Sequence, residues 1–125
     1  MLKSYLYRLY DTITSRGDIT VEFLAFDDYS RRRGAIEGKL RFYDGSRLDF
    51  DEVVALHDKR IVKLRYAYHY QDAADQVIFR YDNAPHYPHL PTHPHHKHVG
   101  DRVEPAETPD LAEVLQEIDQ IIYAI

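Results

Sequence analysis

A chain of 125 residues is one domain's worth, and it has no cysteine, which excludes disulfide frameworks, thiolate metal sites and cysteine nucleophiles. Charged residues make up 30% and hydrophobic residues 44%, the balance of a globular protein rather than a disordered one. The net charge of −5 sits in the last third: residues 83–125 hold 2 Lys/Arg against 7 Asp/Glu, which excludes a uniformly basic nucleic-acid binder and leaves only a local patch for that role.

Tyr5, Leu6, Leu9 and Ile13 recur at helical spacing, and Arg16-Gly17-Asp18 supplies a stop. A strand follows in which Ile19, Val21 and Phe23 alternate with Thr20, Glu22 and Leu24. Asp27 to Gly34 reads as a loop carrying Arg31-Arg32-Arg33. In the next strand Ile36, Gly38, Leu40 and Phe42 face one way. Asp44-Gly45 is a hairpin signal. A two-residue turn would mismatch the apolar faces, so a bulge near Ser46 or Arg47, or a three-residue loop, is predicted. It would put Leu48 across from Phe42 and Phe50 across from Leu40.

Asp51 to Arg60 is hard to read and suggests a strand end and a turn. Val62 to Tyr70 is a strand with Leu64, Tyr66, Tyr68 and Tyr70 on one face. Asp72 to Asp75 turns, and Val77 to Asn83 returns. Symmetrical pairing about the turn sets Tyr70 against Val77 and Tyr66 against Tyr81. The opposite face then carries Arg65 across from Asp82, with His69 diagonal to Arg80. Ala84 to Glu107 reads as a long loop, because all six prolines fall between Pro85 and Pro109. Thr108 is predicted to cap a last helix whose buried stripe is Leu111, Val114, Leu115, Ile118 and Ile122. The fold class is therefore α+β: an antiparallel meander of five to six strands with an N-terminal and a C-terminal helix, in one domain over 1–125. No apolar run is long enough to cross a membrane and no leader opens the chain, so a soluble cytoplasmic protein is expected.

Six of the eight histidines fall between His86 and His98, and two readings compete for them. His93-Pro94-His95-His96-Lys97-His98 offers several imidazole spacings for a metal, although no HExxH-type pattern fixes a geometry. Alternatively the histidines do metal-free proton transfer beside arginines that stabilise charge on a phosphoryl centre. The plain alternative is a solvated loop beside a solvated sheet face.

Arg80-Tyr81-Asp82-Asn83-Ala84-Pro85-His86, followed by Pro94-His95-His96-Lys97-His98, resembles the signature of the TumE-type toxins of prokaryotic toxin–antitoxin systems. Asp44-Gly45-Ser46 with Leu48, Phe50 and Glu52, and Tyr66, Tyr68 and His69-Tyr70-Gln71-Asp72, match as well. The likeness runs from the first helix to the last. It implies a small toxin acting on RNA and neutralised by a helix-turn-helix antitoxin, with a homodimer left open. Tyr87, His89 and His93 depart from the family pattern, where histidine, an acidic residue and phenylalanine are more usual. That weighs against a metal site needing the whole histidine run.

On this basis the expected activity is metal-independent RNA cleavage by attack of a ribose 2′-hydroxyl, with no cofactor. His96 or His98 would carry the proton, with His69 and His86 as second choices. Arg80 and Lys97 would stabilise the phosphate, and Asp82 would orient Arg80 or a histidine. Arg65, Tyr81, Asn83 and His95 would contact substrate. The rivals are a partner-binding protein without catalysis and a metal-dependent nuclease.

Overall fold

The computed structural model describes residues 2–124. Helix α1 spans Leu2–Thr14 and buries Leu2, Leu6, Leu9 and Ile13, the stripe that its spacing requires. Seven strands follow among the described residues: β1 Ile19–Asp27, β2 Arg33–Phe42, β3 Arg47–His57, β4 Arg60–Gln71, β5 Val77–Asp82, β6 His96–Val99 and β7 Arg102–Pro105. They form one sheet in chain order, every neighbour antiparallel. Helix α2, Leu111–Ile122, closes the chain. The two helices share a single core with Ile36, Leu40, Phe42, Leu48, Phe50, Tyr66, Tyr68, Tyr70 and Phe79. They therefore cover one face of the sheet and leave the other for chemistry.

The β2–β3 connection is the three-residue alternative. Phe42 and Ser46 close it, and Gly45 takes the left-handed conformation at φ 87°. The apolar faces match as expected, but the partners shift by two residues: Leu40 faces Leu48, and Gly38 faces Phe50. A Cβ at Gly38 would overlap the Phe50 ring, so the glycine makes room for the aromatic. The β4–β5 connection follows the same plan, with Asp75 at φ 63°. The turn moves that register by one residue, and a bulge at Ile78, opposite the Tyr70–Gln71 step, moves it by one more, so that Tyr70 faces Phe79 and Tyr68 faces Tyr81.

That bulge leaves Val77 exposed and packs Ile78 against the core, and two further bulges revise the reading of faces. The register slips between Val21 and Phe23, which turns Phe23 outward and Leu24 toward the core. It slips again between Val53 and Val54, across from Leu64. Leu64 is thereby exposed, and Lys63 turns inward instead, donating to Tyr68 Oη and to the Pro109 carbonyl, each at 2.6 Å. The hard-to-read stretch is the end of β3 and a two-residue turn with positive φ at Asp58 and Lys59. The proline-rich segment hides the β6–β7 hairpin. The α2 cap is Asp110 rather than Thr108, in a capping box with Glu113.

Candidate functional site

Alternation along β4, β5 and β6 sends Tyr68, Tyr70, Phe79 and Tyr81 to the core side and the residues between them to the open face. The register then lines up one row across three strands: His69 on β4 faces Arg80 on β5, and Arg80 faces His98 on β6. The row continues to Asp49 on β3 and Lys39 on β2. The parallel row one step along reads Glu37, Asp51, Ala67, Asp82 and His96. Ala67 is the only small side chain of that row, and a cleft of about 270 Å³ opens there, lined in part by Asp49, Asp51, His69 and Arg80.

Arg80 stands at the centre. Its Nε donates to Asp82 Oδ2 at 3.0 Å, and its Nη1 lies 3.2 Å from His69 Nδ1. His69 is driven toward its neutral form by burial first and by the Arg80 charge second. Burial also lowers His98, against the pull of Asp82. Asp51 is pushed upward by burial, with Arg65 and Arg80 opposing. Burial would raise Asp82 too, but the Ala84 N–H and the Arg80 guanidinium outweigh it and hold that carboxyl low.

Asp82 and His96 are buried beneath the segment that returns over this end of the sheet. Tyr87 covers them, its ring edge-on to both His96 and His98. His96 Nδ1 donates to the Pro94 carbonyl at 2.9 Å, leaving Nε2 turned toward Asp82 Oδ1 at 3.0 Å. His98 Nε2 lies 3.5 Å from Asp82 Oδ2.

The family model of toxin TumE matches residues 8–122, nearly the whole chain and all of this face. The chain belongs to the TumE toxin family. It is thereby a toxin of a toxin–antitoxin system and has an antitoxin as partner. No curated protein and no solved structure matches it. Among the described residues no helix is long and apolar enough to cross a membrane.

Of the residues expected to serve the toxin, five come together: His69, Arg80, Asp82, His96 and His98. Only three of these, His69, Arg80 and His98, reach the surface of the site, because Asp82 is 6% and His96 1% exposed. Lys97 lies on the other face, paired with Glu117 at 2.7 Å and placed over the rings of Phe79 and Tyr81. Tyr81 also donates to Glu117. Both are excluded by the alternation that brings His96 and His98 in. Asn83 ties β4 to β5 by accepting from the Tyr66 N–H and donating to the Leu64 carbonyl. His95 stacks on Tyr66 and contacts Thr108, which accounts for Thr108 without a cap. Arg65 is exposed and faces Val53, so the expected Arg65–Asp82 pair is replaced by Ala67 opposite Asp82. His86 is exposed beside Tyr87 at the rim.

Sequence reasoning missed Asp49 and Asp51. Their signal was available: residues alternating with Leu48 and Phe50 must face away from the core. Glu52 was noticed only through the family likeness. It sits on the core side, wholly buried, and accepts from the hydroxyls of Tyr5 and Tyr68. Lys63 Nζ lies 3.5 Å from it. A carboxylate in phase with Leu48, Phe50 and Val54 is the pattern that marks it.

Proposed function

We propose that this toxin cleaves RNA without a metal, by attack of a ribose 2′-hydroxyl on the adjacent phosphate. The observation that carries the reading is the row His69–Arg80–His98 across β4, β5 and β6. Neighbouring strands are about 4.8 Å apart, so the two imidazoles stand roughly 10 Å apart with a guanidinium between them. A phosphodiester gripped by Arg80 would have one imidazole on each side. His69, kept neutral by burial and by Arg80, is suited to take the proton of the 2′-hydroxyl. His98, whose charged form the Asp82 carboxylate favours against burial, would deliver one to the leaving 5′-oxygen, and Arg80 would stabilise the charge that grows on phosphorus. Asp82 orients Arg80 through Nε and lies beside His98. His96, too buried to meet substrate, is a positioning residue in this scheme. Asp49, Asp51 and Arg65 border the path that the nucleotide would take. The antitoxin, proposed to be a helix-turn-helix protein, inhibits by laying acidic residues over this row.

The test is toxin purified away from its antitoxin and incubated with a defined RNA, with and without EDTA. Cleavage should survive the chelator and leave a 2′,3′-cyclic phosphate, and a 2′-deoxy substitution at the cut should abolish it. His69→Ala and His98→Ala should each cost about 10²–10⁴ in rate. Arg80→Lys should also be costly, because a point charge lacks the planar fork that grips phosphate. Toxicity in cells without cleavage of any RNA in vitro would overturn the catalytic reading in favour of a toxin that acts by binding.

A further inference from the structure

His96 carries an unusual contact. Its ring is buried and its Nδ1 donates to a carbonyl, so in the neutral ring Nε2 holds a lone pair. That nitrogen points into a carboxylate, 3.0 Å from Asp82 Oδ1. The contact lacks hydrogen-bonding geometry, and Nε2 is left without a partner. Two acceptors held this close in a buried place repel unless something positive stands between them. A proton on Nε2 would have to point at the oxygen, and the geometry does not aim it there.

A third donor converges on the same spot. One atom each from Asp82, His96 and His98 lies within 4.8 Å of the others. Ligands about 2.0–2.1 Å from a tetrahedral metal stand about 3.3 Å from one another. The two imidazoles approach the two oxygens of the one carboxylate at spacings of that order, His96 Nε2 at 3.0 Å from Asp82 Oδ1 and His98 Nε2 at 3.5 Å from Oδ2. The supporting contacts are of the kind that holds metal ligands in place: His96 Nδ1 on the Pro94 carbonyl, and Asp82 on the Ala84 N–H and Arg80 Nε. Two imidazoles and a carboxylate suit zinc and its first-row neighbours rather than magnesium or calcium. The site needs neither His89 nor His93, which are exposed. The departure of those two positions from the family pattern therefore does not count against it.

We propose that Asp82, His96 and His98 bind one zinc-class divalent cation, and that its binding silences the toxin by withdrawing His98 from the row with Arg80. The binding half stands on the ligand geometry alone. The silencing half rests on the RNA-cleavage reading, so two separate readouts are required.

The probes are ZnCl2 by calorimetry and Co²⁺ by its visible absorption, on protein without a histidine tag. One equivalent should bind, with the intense d–d bands of a four-coordinate site. His98→Ala and Asp82→Asn should weaken binding by more than the about 10–100-fold typical of losing a supporting partner. His89→Ala and His93→Ala should leave it unchanged. If His96→Ala fails to fold, His98→Ala, whose side chain is half-buried at the edge of the cluster, carries the test, with circular dichroism as its folding control. Absence of one-to-one binding, or binding lost in His89→Ala and His93→Ala but kept in His98→Ala, would overturn the site. RNA cleavage should fall as Zn²⁺ occupies it. Cleavage that rises with Zn²⁺ would overturn both the silencing and the metal-free mechanism while the site stands. One-to-one binding by a protein that cleaves no RNA in any condition would support the site and overturn the catalytic reading alone.

Discussion

At the scale of single residues, the candidate site is made by neighbours that change what an ordinary side chain does. His69 is an example with a measurable consequence. Burial and the Arg80 charge lower its pKa in the folded state. Unfolded, it titrates near about 6.5. Between those two values the unfolded chain binds the proton and the folded chain does not, so folding is favoured as pH rises. The contribution is complete above the unfolded pKa and is lost as pH falls through the window below it. Melting temperature should therefore climb between pH 5 and pH 7, and His69→Gln should remove part of that climb. A melting temperature that falls over this range, and is restored by His69→Gln, would mean that His69 is charged in the fold. Glu52 shows the opposite arrangement on the other side of the sheet. Its carboxylate gathers Tyr5 from α1, Tyr68 from β4 and Lys63, which in turn holds the carbonyl that precedes α2. That buried network joins both helices to the sheet, whereas the Arg80 network faces outward and touches neither.

At the scale of elements, much of the site was legible because strand alternation is a strict rule. Reading Tyr66, Tyr68 and Tyr70 as core forced His69 outward, and reading Phe79 and Tyr81 as core forced Arg80 and Asp82 outward. Register was the illegible part. Both hairpins turn through three residues with the third in the left-handed region. Asp44-Gly45 announces such a turn, but Asp72-Ala73-Ala74-Asp75 carries no glycine to mark where the positive φ falls. A shift of two residues keeps every face and changes every partner. That is why His69 lies directly across from Arg80 and why Arg65 lost Asp82. Bulges were illegible for a related reason: Glu22, Leu64 and Ile78 are ordinary strand residues, and nothing in their chemistry marks the slip. Gly38 is the residue that fixes the β2–β3 register, since only a residue without Cβ leaves room for Phe50 opposite it. Gly38→Ala should cost about 1–3 kcal/mol, the usual range for overpacking a well-filled core. Urea denaturation would check this, and Gly38→Ala paired with Phe50→Leu should recover part of the loss. Equal loss in the single and paired variants would mean that the two residues do not interact.

At the scale of the whole molecule, the sequential meander explains why one open face can serve as a continuous surface from β2 to β6 while the core lies entirely on the other side. Ala84 to Glu107 read as one long loop ahead of the last helix. Its β6–β7 hairpin was obscured because six prolines dominate the composition, yet the four residues of β6 supply the histidine that completes the row. Charge distribution sets how RNA would meet this surface. The protein is negative overall, at −5, and the open face mixes Arg65, Arg80 and Lys39 with Glu37, Asp49 and Asp51. Arg31, Arg32 and Arg33 lie six residues or more from Lys39 along β2 and its loop, roughly 20 Å away at about 3.3 Å per residue. If the row is the binding site, two or three phosphates are neutralised. Each contributes about −0.7 to the slope of log K against log salt for a single strand, so the slope should be near about −2. Fluorescence anisotropy of a labelled single-stranded RNA with the His98→Ala protein, measured across a salt series, gives that slope directly. Arg80→Ala should make it shallower by nearly one phosphate's worth, and an Arg31→Ala/Arg32→Ala variant should leave it unchanged. A slope about twice as steep, relieved by the Arg31 and Arg32 changes, would place the RNA along the β1–β2 loop and take the row out of its path.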